Sequence, residues 1–65
     1  MKRLGKSDIR KSDVIIFRDY YMYKAGYRVE RDGVEIGYIT FNTFMKLNTF
    51  KASEYYGVIT YLIKE

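Results

Sequence analysis

The chain has 65 residues with a formal net charge of +4, and it contains no Cys and no His. This composition excludes disulfides, zinc fingers, iron–sulfur ligation and the usual transition-metal sites. A single domain of this size is near the lower limit for folding on its core alone, which leaves no room for a large cofactor fold.

The net charge is confined to the first twelve residues. They contain one Asp and five basic residues, namely Lys2, Arg3, Lys6, Arg10 and Lys11, which gives +4, whereas residues 13–65 balance seven Lys/Arg with seven Asp/Glu. We interpret residues 1–12 as a basic N-terminal arm, either flexible or anchored through Leu4 and Ile9, and residues 13–65 as one small α+β domain.

No apolar run approaches the roughly 20 residues that cross a bilayer. The basic start is not followed by the apolar stretch of a signal peptide. We therefore expect a soluble, cytoplasmic protein with no membrane partner.

Residues 14–17 (Val-Ile-Ile-Phe) predict a strand buried on both faces, and residues 20–23 (Tyr-Tyr-Met-Tyr) resume the β-type composition. A helix over residues 7–24 is the competing interpretation. It is disfavoured because the apolar residues form consecutive blocks rather than the stripe of a surface helix.

Residues 27–31 and 34–39 predict a β-hairpin around Asp32-Gly33, because this dipeptide supplies the two positive-φ positions of a type I′ turn. The pairs expected from a two-residue turn are Arg31 with Val34, Glu30 with Glu35, Val29 with Ile36 and Tyr27 with Tyr38.

Residues 40–48 change to helical spacing and predict one short helix with Thr40 as its N-cap. Residues 49–54 are interpreted as a connector or a second helical turn. Residues 55–63 alternate with apolar side chains on both faces, which predicts a central strand. The order β-β-β-α-β describes a small α+β domain, with an antiparallel sheet of three to five strands and one short helix packed on it.

Catalytic chemistry has few candidates in this chain. The three serines have only lysine as a possible base, and no glycine-rich phosphate loop is present. Glu30 and Glu35, paired across the hairpin, could hold Mg²⁺ or act as an acid–base couple, but an exposed ribbon offers no pocket to shift their pKa values. We expect a non-enzymatic protein without a cofactor or metal.

Tyrosine is the most distinctive residue type of the neutral residues 13–65, which contain all eight tyrosines of the chain. Any single ring is well explained as a core or half-buried strand residue, but a small sheet buries one face and alternation must expose several of them. Exposed Tyr beside Arg is typical of protein-recognition surfaces. The residues that we expect in such a surface are Tyr20, Tyr21, Tyr23, Tyr27, Arg28 and Tyr38.

Two alternatives remain open. The basic arm could contact phosphates while sheet aromatics stack on bases, which would make the chain a nucleic-acid-binding protein. A solubilising tail is the competing interpretation of the arm, and the neutral body lacks the charge excess of a basic groove. In the second alternative the chain forms a homodimer or larger assembly through a sheet edge, since no Pro protects any edge.

The composition resembles that of small orphan proteins of bacteriophages and mobile elements of AT-rich bacteria, because the chain is short, rich in Lys, Ile and Tyr, and lacks Cys, His, Trp and Pro. No motif carries this resemblance, so no residue role is transferred. Such proteins are often non-enzymatic inhibitors that occlude a host machine, anti-CRISPR proteins being one example. The resemblance implies an inhibitor or regulator of a larger host protein, with a nucleic-acid-handling machine as one version.

Overall fold

The computed structural model describes residues 2–18 and 27–64, and it shows a five-stranded antiparallel sheet with one short α-helix in that part of the chain. A short 3-10 helix (Lys6–Asp8) comes first. The elements that follow in chain order are β1 (Val14–Arg18), β2 (Tyr27–Arg31), β3 (Val34–Ile39), α1 (Phe41–Lys46), β4 (Thr49–Tyr55) and β5 (Val58–Ile63). The strands lie side by side in the order β3-β2-β1-β5-β4. The predicted α+β class is confirmed, although two strands rather than one follow the helix. The strand predicted at residues 20–23 lies outside the described residues.

The β2–β3 hairpin turns at Asp32 and Gly33, whose φ angles of 55° and 79° fit the predicted type I′ turn. The predicted pairs next to the turn are confirmed: they are Arg31 with Val34 and Glu30 with Glu35.

The next two predicted pairs, Val29 with Ile36 and Tyr27 with Tyr38, are wrong because a β-bulge adds one residue to β3. Tyr27 faces Ile39 instead, one position further along the strand. A shift of one residue reverses the face of every later side chain, so Ile39 joins the core and Tyr38 lies on the opposite side of the sheet.

The C-terminal part is a second hairpin rather than a connector and one strand. Residues 49–54, predicted as a connector or helical turn, belong to β4, and Tyr56 and Gly57 form a tight turn with φ angles of 51° and 75°. Tyr rarely adopts a positive φ, so the sequence did not indicate a turn. The single strand predicted over 55–63 is wrong at 56–57, and Tyr55 ends β4 instead of starting the last strand. Residues 58–63 lie between β1 and β4, which confirms a central strand there.

Helix α1 covers one face of the sheet. Thr40 is its N-cap as predicted, with Oγ1 accepting a hydrogen bond from the Thr43 backbone N–H at 3.3 Å. Phe44 packs against the core, whereas Phe41 and Met45 are exposed. The six-residue helix therefore depends on packing through one side.

The core lies between α1, the N-terminal segment and this face of the sheet. Its buried side chains are Leu4, Ile15, Val29 and Ile39. The half-buried side chains packed around them are Ile9, Tyr27, Ile36, Phe44, Leu47, Tyr61 and Ile63.

The N-terminal segment follows the outer edge of β3. The Leu4 backbone N–H donates to the Tyr38 carbonyl at 2.8 Å, and the Tyr38 N–H donates to the Lys2 carbonyl at 3.0 Å. This close approach requires glycine at position 37, because a Cβ there would collide with the Lys2 carbonyl oxygen and would lie 3.0 Å from Leu4 Cγ. Residues 2–4 therefore satisfy the outward main-chain groups of Tyr38 on this edge.

Within residues 2–18 and 27–64, no helix is long and apolar enough to cross a membrane.

Candidate functional site

The two faces of the sheet differ in what covers them. Ile15 in β1 is fully buried on the core side, so its neighbours Val14 and Ile16 point to the other side. Directly paired residues of an antiparallel sheet share a face, so the register identifies every side chain beside these two. We call this second side, opposite α1 and the core, the open face.

The open face consists of three rows of side chains that cross the sheet. The first row contains Glu35, Glu30, Val14, Leu62 and Phe50. The second row contains Tyr38, Arg28, Ile16, Thr60 and Ser53. The third row contains Arg18, Val58 and Tyr55. None of these residues is buried, whereas the core side contains the fully buried members of the sheet.

The centre of the open face is apolar. Val14 and Ile16 of β1 lie beside Leu62 and Val58 of β5, and all four are half-buried. These aliphatic side chains on two neighbouring strands, with Thr60 between Leu62 and Val58, form a mainly apolar strip on this surface.

Aromatic side chains lie on both sides of this strip, on the edge strands β3 and β4. Tyr38 lies on β3, while Phe50 and Tyr55 lie on β4 with exposed fractions of 47% and 70%. The Tyr55 ring is 4.3 Å from the ring of Tyr56 in the adjoining turn. This exposed aromatic corner was missed by the sequence analysis, because residues 49–54 were not recognised as a strand.

The charges of the open face balance. Arg28 Nη1 donates to Glu35 Oε2 at 3.4 Å, and both side chains remain partly exposed. With Arg18 and Glu30, the surface carries two cations and two anions. Its rim is polar and neutral, as in the rim of many protein interfaces.

The residues predicted for a protein-binding surface occupy different places. Arg28 and Tyr38 are direct partners on the open face. Tyr27 lies on the core side, where its ring stacks on Phe44 at 4.1 Å with an interplanar angle of 6°. The centre of the Tyr61 ring is 6.2 Å from the centre of the Tyr27 ring. Tyr20, Tyr21 and Tyr23 lie outside the described residues.

Burial affects the chemistry of Tyr27. Desolvation raises the pKa of its hydroxyl, and the neighbouring Tyr61 raises it further. Tyr27 is therefore a neutral member of an aromatic cluster that joins α1 to the sheet, and we do not include it in the open face.

The basic residues of the N-terminal segment are exposed, and the backbone of this segment is hydrogen-bonded to β3. They are Lys2, Arg3, Lys6, Arg10 and Lys11. Lys2 and Arg10 line a depression of about 290 Å³ with Asp8 and Arg31. Leu4 fixes the beginning of this segment in the core.

An ion pair fixes the end of the same segment. Arg31 Nε donates to Asp13 Oδ1 at 2.8 Å, and its Nη2 donates to Asp13 Oδ2 at 2.9 Å and to the Asp8 carbonyl at 2.8 Å. The hydrogen bonds from Arg31 hold the pKa of Asp13 below its ordinary value, although burial of the carboxyl opposes this shift. Arg31 therefore balances the charge of Asp13 and is not a free cation of the depression.

In the ranges 2–18 and 27–64, no three or more acidic side chains gather in a way that could hold a metal ion. Comparisons of the chain with protein-family models, with curated proteins and with solved structures found no match.

Proposed function

We propose that this chain is a non-enzymatic binding module that recognises a protein partner through its open face. The observation that carries the proposal is the apolar strip of β1 and β5, with Tyr38 and Arg28 at one margin and aromatic side chains of β4 at the other. An apolar centre with Tyr, Phe and Arg beside it and a polar rim is the composition of protein-recognition surfaces.

A protein surface fits the open face better than a polyanion does. The two Arg and two Glu of this face cancel, so it provides no excess positive charge for phosphate groups. The complementary partner surface presents apolar side chains to the strip and polar groups to the rim. The compositional resemblance to phage and mobile-element proteins favours an inhibitor or regulator of a larger host protein, such as one that occludes a nucleic-acid-handling machine.

Site-specific photo-cross-linking in cells of the natural host tests this proposal. A benzophenone amino acid at Thr60 lies in the centre of the open face, and the same residue at the exposed Asn42 of α1 is the matched control. We expect one discrete adduct from position 60 and none from position 42. An adduct of equal yield from both positions, or from position 42 alone, would refute the open face as the docking surface.

Direct nucleic-acid binding is a second candidate, favoured by one specific observation. Five exposed Lys and Arg residues lie on a segment whose backbone is held in place, because Leu4 is buried in the core and Asp13 pairs with Arg31. A preformed basic surface binds polyanions with an affinity that falls steeply with salt.

A titration of fluorescent single- and double-stranded oligonucleotides with increasing salt tests this candidate. Deleting residues 1–12 would remove Leu4 from the core, so the suitable variant replaces only the five basic residues by Gln. Tight, salt-steep binding by the wild type that is lost in this variant would support the nucleic-acid function. Equal binding by the two proteins at low salt would reject it.

A further inference from the structure

Among the described residues, no strand pairs with the outer edge of β4. The strand order ends at β3 on one side and at β4 on the other, and the N-terminal segment hydrogen-bonds to Tyr38 on the outer edge of β3. β4 is seven residues long and six of them are exposed. An edge strand of this length offers its main-chain groups to another strand.

A bulge in β4 gives this edge an unusual arrangement of side chains. The register against β5 shifts between Lys51 and Ser53, so Ala52 is the extra residue. Lys51 and Glu54 consequently lie on the same face, although residues three apart normally alternate in a strand. Their Nζ and Oε1 atoms are 2.8 Å apart. Phe50 and Tyr55 lie together on the other side, the open face.

We propose that β4 pairs with β4 of a second copy of this chain in an antiparallel, two-fold symmetric dimer. The two-fold axis passes between Ala52 and Ser53. Lys51 then lies opposite Glu54 of the partner subunit, on the face where both charges already lie. Phe50 lies opposite Tyr55 of the partner subunit on the open face. Opposite charges and aromatic pairs are favourable cross-strand neighbours, and the symmetry makes each pair occur twice.

The side-chain register, rather than the exposed main-chain edge alone, selects the partner strand. A bulge and an exposed Lys normally discourage strand addition, so pairing is favoured only with a strand that places Glu opposite Lys51 and an aromatic ring opposite Phe50, as a second β4 does. The symmetric contact uses the β4 edge of both subunits, so it closes after two copies instead of continuing into a filament. In the part of the chain that the structure describes, the dimer forms one sheet of ten strands, with both open faces on the same side.

Charge reversal tests this register. We expect sedimentation equilibrium of the wild type to show a monomer–dimer equilibrium, and Lys51→Glu and Glu54→Lys each to weaken the dimer roughly tenfold or more, because like charges then face each other twice. An equimolar mixture of the two variants restores opposite charges at both pairs, so the heterodimer should form with nearly wild-type affinity. Each variant chain still carries two like charges at positions 51 and 54 after mixing, so its own ion pair is not restored. Recovery of the dimer on mixing therefore reports the contact between chains and not an effect on folding.

The matched control is Lys64→Glu, which makes the same charge change at an exposed residue outside β4 and should leave the dimer unchanged. A wild type that stays monomeric at millimolar concentration would overturn the proposal. So would a dimer that persists in both variants, or a mixture that fails to restore it. Arg28→Ala on the open face lies three strands from β4, and it should leave the dimer intact whether or not the open face binds a protein partner.

Discussion

Asp13 and Arg31 form a bidentate ion pair that connects the N-terminal segment to β2, with Nε–Oδ1 and Nη2–Oδ2 distances of 2.8 and 2.9 Å. Asp13 is only 1% exposed, and its Oδ2 also accepts a hydrogen bond from the Arg10 backbone N–H at 2.8 Å. A buried carboxylate is tolerated when charged donors surround it, so this pair fixes the path of the chain into β1.

The ion pair should make the free energy of unfolding depend on pH in the acidic range. The pKa of Asp13 is lowered from its ordinary value of 3.8, chiefly by the hydrogen bonds from Arg31. A lowered pKa in the folded state stabilises the protein above the unfolded-state pKa, and this contribution is lost as the pH falls through the folded-state pKa. We expect the free energy of unfolding to be insensitive to Asp13 above about pH 5 and to fall below about pH 4.

Asp13→Asn isolates this contribution. At neutral pH the variant should lose about 1.5–3 kcal/mol of unfolding free energy, because Asn leaves Arg31 without its counter-ion and its NH2 group cannot accept the hydrogen bonds that one carboxylate oxygen accepts. The difference from the wild type should shrink toward pH 2. Urea denaturation at several pH values measures both quantities. A difference that stays constant down to pH 2 would show that the charge of Asp13 does not stabilise the fold.

Gly37→Ala should detach the N-terminal segment from β3. The new Cβ would collide with the Lys2 carbonyl oxygen, so we expect a loss of about 1–3 kcal/mol of stability. Hydrogen exchange gives the local measurement, because the Leu4 and Tyr38 amides donate across this contact. Both amides should exchange faster in the variant. Unchanged protection would mean that the contact does not hold the segment in solution.

Phe44→Ala should loosen α1 from the sheet, whereas Met45→Ala on the same helix should not. Phe44 stacks on Tyr27 and meets Tyr61 edge-on at 4.8 Å, so truncating its ring should cost about 2–4 kcal/mol. Met45 is 64% exposed and its truncation should change stability by less than about 0.5 kcal/mol. Chemical denaturation compares the two, and equal losses would contradict the packing described for α1.

Local signals in the sequence predicted part of this fold. Asp-Gly between two β-rich runs predicted the β2–β3 turn, and helical spacing after Thr40 predicted α1. The β3 bulge has a weaker signal, an interior glycine at position 37, which often accompanies a bulge or a close main-chain approach. The turn at Tyr56 had no clear signal, because Tyr at a positive φ depends on tertiary context.

The candidate site was predictable only in outline. The expectation that strand alternation exposes aromatic rings beside Arg led to Arg28 and Tyr38, which are direct partners on the open face. The β3 bulge decides that Tyr38 lies on this face, and it pairs Tyr27 with Ile39 on the core side. Phe50 was missed because residues 49–54 were interpreted as a connector or a second helical turn, and Tyr55 was assigned to the same strand as residues 58–63.

Docking of a protein partner on the open face can be tested through the affinity of the partner captured by cross-linking. Calorimetry should compare the wild type, Tyr38→Ala and the variant with Gln at all five basic N-terminal positions. We predict that Tyr38→Ala weakens binding roughly tenfold or more, as expected for an aromatic hot spot, and that the five-Gln variant binds like the wild type. Binding that is unchanged in Tyr38→Ala but lost in the five-Gln variant would exclude docking on the open face and assign recognition to the basic N-terminal segment.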